Sequence, residues 1–176
     1  MSPSLPSRKF MQVCWVVPDL PAAIATWAAQ TGVGPFFYFD DVRYEDAIYR
    51  GQPWKPVQFH AAIAQAGDLQ IELVSQLEEG ASIFRDVVPA GQAGLHHMSI
   101  YTHDYDHDVA FYQKSGVEIA FSGLMKGARV CWLDTTATLG FMTEVITANP
   151  LKEQVFAMFS DAAENWDGVD PIRHIG

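Results

Sequence analysis

Met11-Gln-Val-Cys-Trp-Val-Val-Pro-Asp-Leu-Pro-Ala-Ala-Ile-Ala-Thr-Trp27 is an apolar run, a Pro/Asp break and a stretch with apolar residues at helical spacing. His96-His-Met-Ser-Ile-Tyr-Thr-His-Asp-Tyr-Asp-His-Asp-Val-Ala-Phe-Tyr112 repeats that order at a constant offset of 85, which lays Gln12 on His97, Asp19 on Asp104, Ile24 on Val109 and Trp27 on Tyr112. Self-similarity of this kind decides the fold before any single element does. Each copy predicts a strand and then a helix closed by Gly32 or Gly116, with Asp19 and Asp104 placed to cap the helices by accepting an unpaired backbone N–H. Each also ends on a strand pair, closing on Leu69-Gln-Ile-Glu-Leu-Val74 in the first and Gly140-Phe-Met-Thr-Glu-Val-Ile146 in the second. The expectation is an α+β fold. Two βαβββ repeats, about 9–77 and 95–147, form one domain over 1–147 with a curved mixed sheet and a cleft.

The two copies differ in one respect. Gln12 and Glu72 are 60 residues apart, whereas His97 and Glu144 are 47 apart. The surplus falls in an aromatic and polar segment, Phe36 to Pro56, which reads as a pocket-shaping loop. Residues 78–93 read as a linker with a short helix. Residues 148–176 read as a C-terminal helix opened by Pro150, with Leu151, Val155, Phe156 and Phe159 on one side, and an extended tail that packs on the body or on a second subunit.

Composition narrows the class. Of 176 residues, 49% are hydrophobic, ample to form a core, so a disordered chain is excluded. Eleven Lys+Arg against 21 Asp+Glu give a charge of −10, which argues against nucleic acid and anionic membranes as partners. Cys14 and Cys131 lie far apart in apolar runs and read as buried thiols, not a disulfide framework. The N-terminus has basic residues but no apolar core, so it does not read as a signal peptide, and no stretch reaches the roughly 18 apolar residues of a membrane span. A soluble cytoplasmic protein is the expectation.

Four polar residues stand at equivalent places in the copies: Gln12 and His97 on the first strand, Glu72 and Glu144 on the last. Taken singly, each has an ordinary explanation as an edge or core residue. Alternation sets Glu72 against Ile71 and Leu73, and a carboxylate held on a sheet among aliphatics is costly unless something neutralises it. Two at matching repeat positions invite a shared cation.

These motifs resemble the vicinal oxygen chelate superfamily, which includes glyoxalase I, methylmalonyl-CoA epimerase, bleomycin-resistance proteins and extradiol dioxygenases. The resemblance rests on Gln12-x-x-Trp-Val-Val-Pro-Asp-Leu, Gln70-Ile-Glu-Leu-Val, Gly94-Leu-His-His-Met-Ser-Ile and Phe141-Met-Thr-Glu-Val-Ile, over roughly Lys9 to Thr147. It is greatest to the glyoxalase I and epimerase branches. It implies metal ligands at Gln12, Glu72, His97 and Glu144, holding a divalent ion such as Zn, Ni, Co, Mn or Mg. It further implies a lyase, isomerase or epimerase, expected as a homodimer, in which chelation stabilises an enolate. Glu144 or Glu72 serves as the base, Glu144 being favoured. The rivals are a metal-free small-molecule binder of the bleomycin-resistance kind and an extradiol dioxygenase, the latter disfavoured by the single His among the four positions.

Position singles out further residues. Alternation would send His96 to the face opposite His97. Pairing of Val57–Gln65 with Leu69–Leu77 across an Ala66-Gly67-Asp68 turn would set Ala62 opposite Glu72 and bring His60 to the site face. His60 is therefore a candidate substrate contact; Phe59 is a second, as an aromatic ring, and Arg50, with Lys55, is a third, as an anchor for an anion. The rings of the insert, Phe36 to Phe39, Tyr44, Tyr49 and Trp54, suggest a bulky or aromatic small-molecule substrate, and equally a cover for the sheet. His103, Asp104, Asp106, His107 and Asp108 read as a solvated helix start.

Overall fold

The structure is a computed structural model that describes residues 8–175. The N-terminal segment, expected not to be a signal peptide, lies mostly outside them. In chain order the elements are β1 (Phe10–Val16), α1 (Leu20–Thr31), β2 (Phe36–Phe39), β3 (Glu45–Tyr49), β4 (Gln52–Pro53), β5 (Phe59–Ala66), β6 (Leu69–Gln76) and α2 (Ile83–Val87). They continue with β7 (Gly94–Thr102), α3 (Tyr105–Gln113), β8 (Ile119–Met125), β9 (Ala128–Leu133), α4 (Thr136–Leu139), β10 (Met142–Thr147), α5 (Pro150–Glu164) and β11 (Ile172–His174).

Local chemistry sets the helix ends. Asp19 accepts from the Ala22 N–H at 2.9 Å, and Gly32, at φ 72°, takes the left-handed conformation that closes α1. The repeat does not extend to the second cap. Asp104 makes no capping bond, and its own amide donates to the Thr102 hydroxyl at 2.9 Å.

All strands join one sheet in the order β11-β2-β5-β6-β1-β7-β10-β9-β8-β3-β4. Its centre is the antiparallel pair β1 and β7, each flanked by a parallel strand, β6 beside β1 and β10 beside β7. The repeat thus becomes a pseudo-symmetric pair of four-stranded halves, β2-β5-β6-β1 and β7-β10-β9-β8. Alternation sorts the side chains. One face buries Leu20 and Ile24 of α1 against Val13, Ile71 and Leu73, and sets Val109 of α3 against Cys131, Leu133 and Val145. The other, concave face collects Cys14, Phe59, Val74, Phe121, Trp132 and Met142 from both halves into one cluster.

The surplus segment is not a free loop. Phe36–Phe39 is β2, a strand of the first half, and the chain beyond it crosses the cleft so that β3 pairs with β8 of the second half. There Tyr44 packs on Phe59, Phe121 and Trp132, so the insert covers the concave face. The tail returns to the same chain, where β11 pairs in parallel with β2. On α5, Phe159 is buried against Phe37, whereas Leu151, expected on the packed side, is exposed. No helix among the described residues is long and apolar enough to cross a membrane.

Candidate metal centre

The register of the two central pairs builds the site. Cys14 faces Glu72 across β1–β6 and His97 across β1–β7, while Gln12 faces Gln70 and Ser99, and Ser99 faces Glu144 across β7–β10. The repeat offset that lays Gln12 on His97 also lays Cys14 on Ser99, so each half supplies one glutamate with a small polar partner beside it.

At the centre, Nε2 of His97 lies 3.2 Å from Oε2 of Glu72 and 3.2 Å from Oε2 of Glu144. The His97 side chain is 2% exposed and that of Glu144 is 4%, whereas Glu72, at 15%, marks the open side. Ligand atoms of Cys14, Glu72 and His97 all lie within 4.8 Å of one another. Ser99 Oγ donates to Glu144 and reaches Oε1 of Gln12 at 3.0 Å, and the amide nitrogen of Gln12 donates to Gln70 at 3.2 Å. Ser99 has one hydroxyl hydrogen, which goes to Glu144, so the Gln12 amide is bonded through its nitrogen, to Gln70.

His96 fixes which nitrogen of His97 faces the carboxylates. Its Nε2 is 2.8 Å from the Ile83 carbonyl, which can only accept, so that nitrogen carries the hydrogen. Burial, and then the neighbouring His97, lower the His96 pKa to about 3, so the ring is neutral and its Nδ1 accepts. Nδ1 of His97, 2.7 Å away, must then donate. That leaves His97 Nε2 buried between two carboxylates and without a hydrogen-bond partner. A lone pair there would oppose two negative charges, and only a cation, either a proton or a metal ion, removes the conflict. Burial by itself would lower His97, but the charge of Glu144 beside it holds the ring above its ordinary range, so without metal a proton occupies the position and pairs with the carboxylates. Burial pushes the Cys14 thiol up, so without metal it stays protonated. A neutral imidazole, two carboxylates and a thiol form a donor set that fits a divalent ion.

Other candidates fall elsewhere. His96, expected on the far face, is instead beside His97, because a β-bulge between Cys14 and Trp15 inserts it into the pairing with β7. The β5–β6 hairpin turns on two residues, Gly67 and Asp68, so Ala66 pairs with Leu69 and Ile63, not Ala62, faces Glu72. This single-residue slip reverses every face of β5. His60 consequently points away from the cluster and bonds the Tyr38 hydroxyl at 2.7 Å, and Ala62 and Ala64 pack beneath α1. Phe59 does lie on the concave face, buried against Tyr44 and Phe84. Arg50 is paired with Asp86 and Asp134, each at 2.8 Å, so it ties down the insert and is not a free anion anchor. Lys55 lines a separate crevice of about 350 Å³ between the insert and residues 78–81.

Three residues stand near the cluster whose place there the sequence does not show. Cys14 is legible as a face-mate of Gln12, but its apolar neighbours make it look inert. Tyr44 of the insert comes close enough that, after burial, Glu144, Glu72 and Cys14 push its phenol well up. Lys152, on the first turn of α5, is lowered by burial against the attraction of Glu144 and Glu72, and has no carboxylate within 4.0 Å among the described residues. No sequence signal says where α5 docks. Tyr101 places it, accepting from the Asn149 amide at 2.9 Å and donating to the Asn149 carbonyl at 3.1 Å.

The family model described as the glyoxalase/bleomycin resistance protein/dioxygenase superfamily matches residues 11–132, more than half of the chain. No curated protein sequence gives a match. Among solved structures, a hypothetical protein from Bacillus halodurans is 19% identical, with a TM-score of 0.58 over 82% of this chain and 96% of that one. Methylmalonyl-CoA epimerase from Mycobacterium tuberculosis is 18% identical, with a TM-score of 0.56 over 88% and 96%. A Streptomyces coelicolor methylmalonyl-CoA epimerase variant in complex with 2-nitronate-propionyl-CoA is 18% identical, with a TM-score of 0.55 over 82% and 97%. At these identities the structures share the fold alone. The matched family model, with two βαβββ halves meeting at β1 and β7, establishes that the chain belongs to the glyoxalase/bleomycin resistance protein/dioxygenase superfamily.

Proposed function

We propose that the protein is a divalent-metal-dependent enzyme that removes a proton from the carbon next to a carbonyl, as an isomerase, epimerase or lyase of small acyl substrates. One observation carries the reading: His97 Nε2, buried and without a hydrogen bond among the described residues, lies 3.2 Å from a carboxylate of each half. His97, Glu72 and Glu144 would hold the ion. When bound, it supplies Lewis-acid stabilisation of the negative charge that develops on the substrate oxygen.

The protein's own groups divide the remaining work. Ser99 orients Glu144 by hydrogen bonding, as an orienting group does for a general base, and Glu144 takes the proton. Glu144 then returns that proton to the same or the neighbouring carbon, or loses it to water while Glu72, on the open side, passes a proton taken from water to the other face of the carbon. Tyr44 and Trp132 exclude water above the cluster, and the buried indole N–H of Trp132, which has no partner, is a donor available to a substrate oxygen. The methylmalonyl-CoA epimerase neighbours support trying acyl-CoA thioesters first. The acting form is proposed to be a cytoplasmic homodimer.

Proton NMR in heavy water tests this with methylmalonyl-CoA and with hemithioacetals as probes. The metal-loaded protein should exchange the proton beside the carbonyl, and Glu144→Gln should lower the rate at least about 100-fold, the usual contribution of a positioned base, while keeping the fold. Exchange undiminished in that variant would remove Glu144 from its role.

A further inference from the structure

We infer that Cys14 is a thiolate ligand of this centre, taking the coordination place that the repeat pattern assigns to Gln12, and that the site therefore selects a thiophilic borderline ion, zinc or cobalt, over magnesium or manganese. The inference rests on the proposed metal centre and deepens it.

Three observations carry it. First, Cys14 Sγ shares a sphere of 4.8 Å with ligand atoms of Glu72 and His97, and Cys14 is fully buried. Second, Nε2 of His97, buried and without a hydrogen bond among the described residues, lies 3.2 Å from both carboxylates, so the thiol stands beside an atom that already calls for a cation. Third, it is Cys14 that faces both Glu72 and His97 across the strands, whereas Gln12 faces Gln70 and Ser99 and donates its amide nitrogen to Gln70 at 3.2 Å.

The repeat explains the asymmetry. At the equivalent position in the second half Ser99 bonds Glu144, whereas the first half carries sulfur, opposite His97. Sulfur is a poor ligand for magnesium or manganese and a good one for zinc and cobalt. On binding, the Cys14 S–H bond breaks, a metal–sulfur bond forms, and the proton leaves to solvent. Nothing is oxidised or reduced.

Cobalt(II) spectroscopy on the full-length, metal-stripped protein tests it. Wild type should take up cobalt with an intense near-ultraviolet thiolate-to-cobalt charge-transfer band. Cys14→Ser should lose that band while keeping the weaker visible cobalt bands, and its zinc affinity should fall at least about tenfold, the smallest loss seen even for outer partners of a ligand. Cys131→Ser, which alters the buried thiol on the opposite face, should leave the band unchanged. Cobalt bound without the band, or a band that survives in Cys14→Ser, overturns the thiolate ligand and leaves the metal centre standing. No cobalt uptake by a folded wild type overturns both. If Cys14→Ser does not fold, the band in wild type and its persistence in Cys131→Ser decide the question.

Discussion

His97 owes its usefulness to a neighbour that sequence alternation sends away from it. The hydrogen bond from His96 to the Ile83 carbonyl sets one tautomer, that tautomer sets the next, and the outcome is a nitrogen that faces two carboxylates and takes a proton or a metal ion. Replacing His96 with Phe removes the acceptor for His97 Nδ1 and frees the ring to turn or to carry its hydrogen on Nε2. Zinc affinity, measured by calorimetry, should fall about 10- to 100-fold with the fold retained; unchanged affinity would mean that packing alone orients His97. The positions of Gln12, Glu72, His97 and Glu144 were legible because repetition singles out polar residues in apolar strands. His96 was not, since a bulge inserts one residue and leaves no mark in a pattern of period two.

Among the elements, the insert governs access. It reaches the second half by pairing β3 with β8 and is pinned at its turn, where Arg50 spans Asp86 and Asp134 and the Tyr49 hydroxyl donates to Asp86 at 2.7 Å. Burial raises Asp134, but hydrogen bonds from Thr136 and Arg50 outweigh it and hold the carboxyl below its ordinary 3.8. A carboxyl depressed by folding stabilises the folded form above its unfolded pKa, and that contribution is lost as pH falls through the folded value. The insert should therefore loosen below about pH 4, and Arg50→Ala should leave it loose already at neutral pH and flatten that dependence. Fluorescence quenching of Trp54 by acrylamide across a pH series measures it; identical profiles for the two proteins would show that the anchor is dispensable. The length of the insert was readable from the unequal spacing of the copies, but not its crossing of the cleft, because strand pairing between distant segments leaves no local signature. The slip in β5 has a similar cause. A turn of two or three residues reads alike in Ala66-Gly67-Asp68, yet the choice decides which face His60 occupies.

For the whole molecule, the fold and the centre are one construction. The central β1–β7 pair joins the halves, and the same pair carries Cys14 and His97, with Glu72 and Glu144 on the strands just outside. The fold was legible because two copies of one pattern must bury their apolar faces in the same way. From α5, Lys152 feels the charge of both glutamates, which works against the lowering that its burial imposes. The proposed chemistry stands on a cation between the halves. Elemental analysis of protein purified without chelator, beside His97→Ala, tests that directly. The expected result is about one divalent ion per chain, as in other centres with three or more protein ligands, and its loss in the variant. A folded protein without metal, or a variant that keeps the same content, would contradict it.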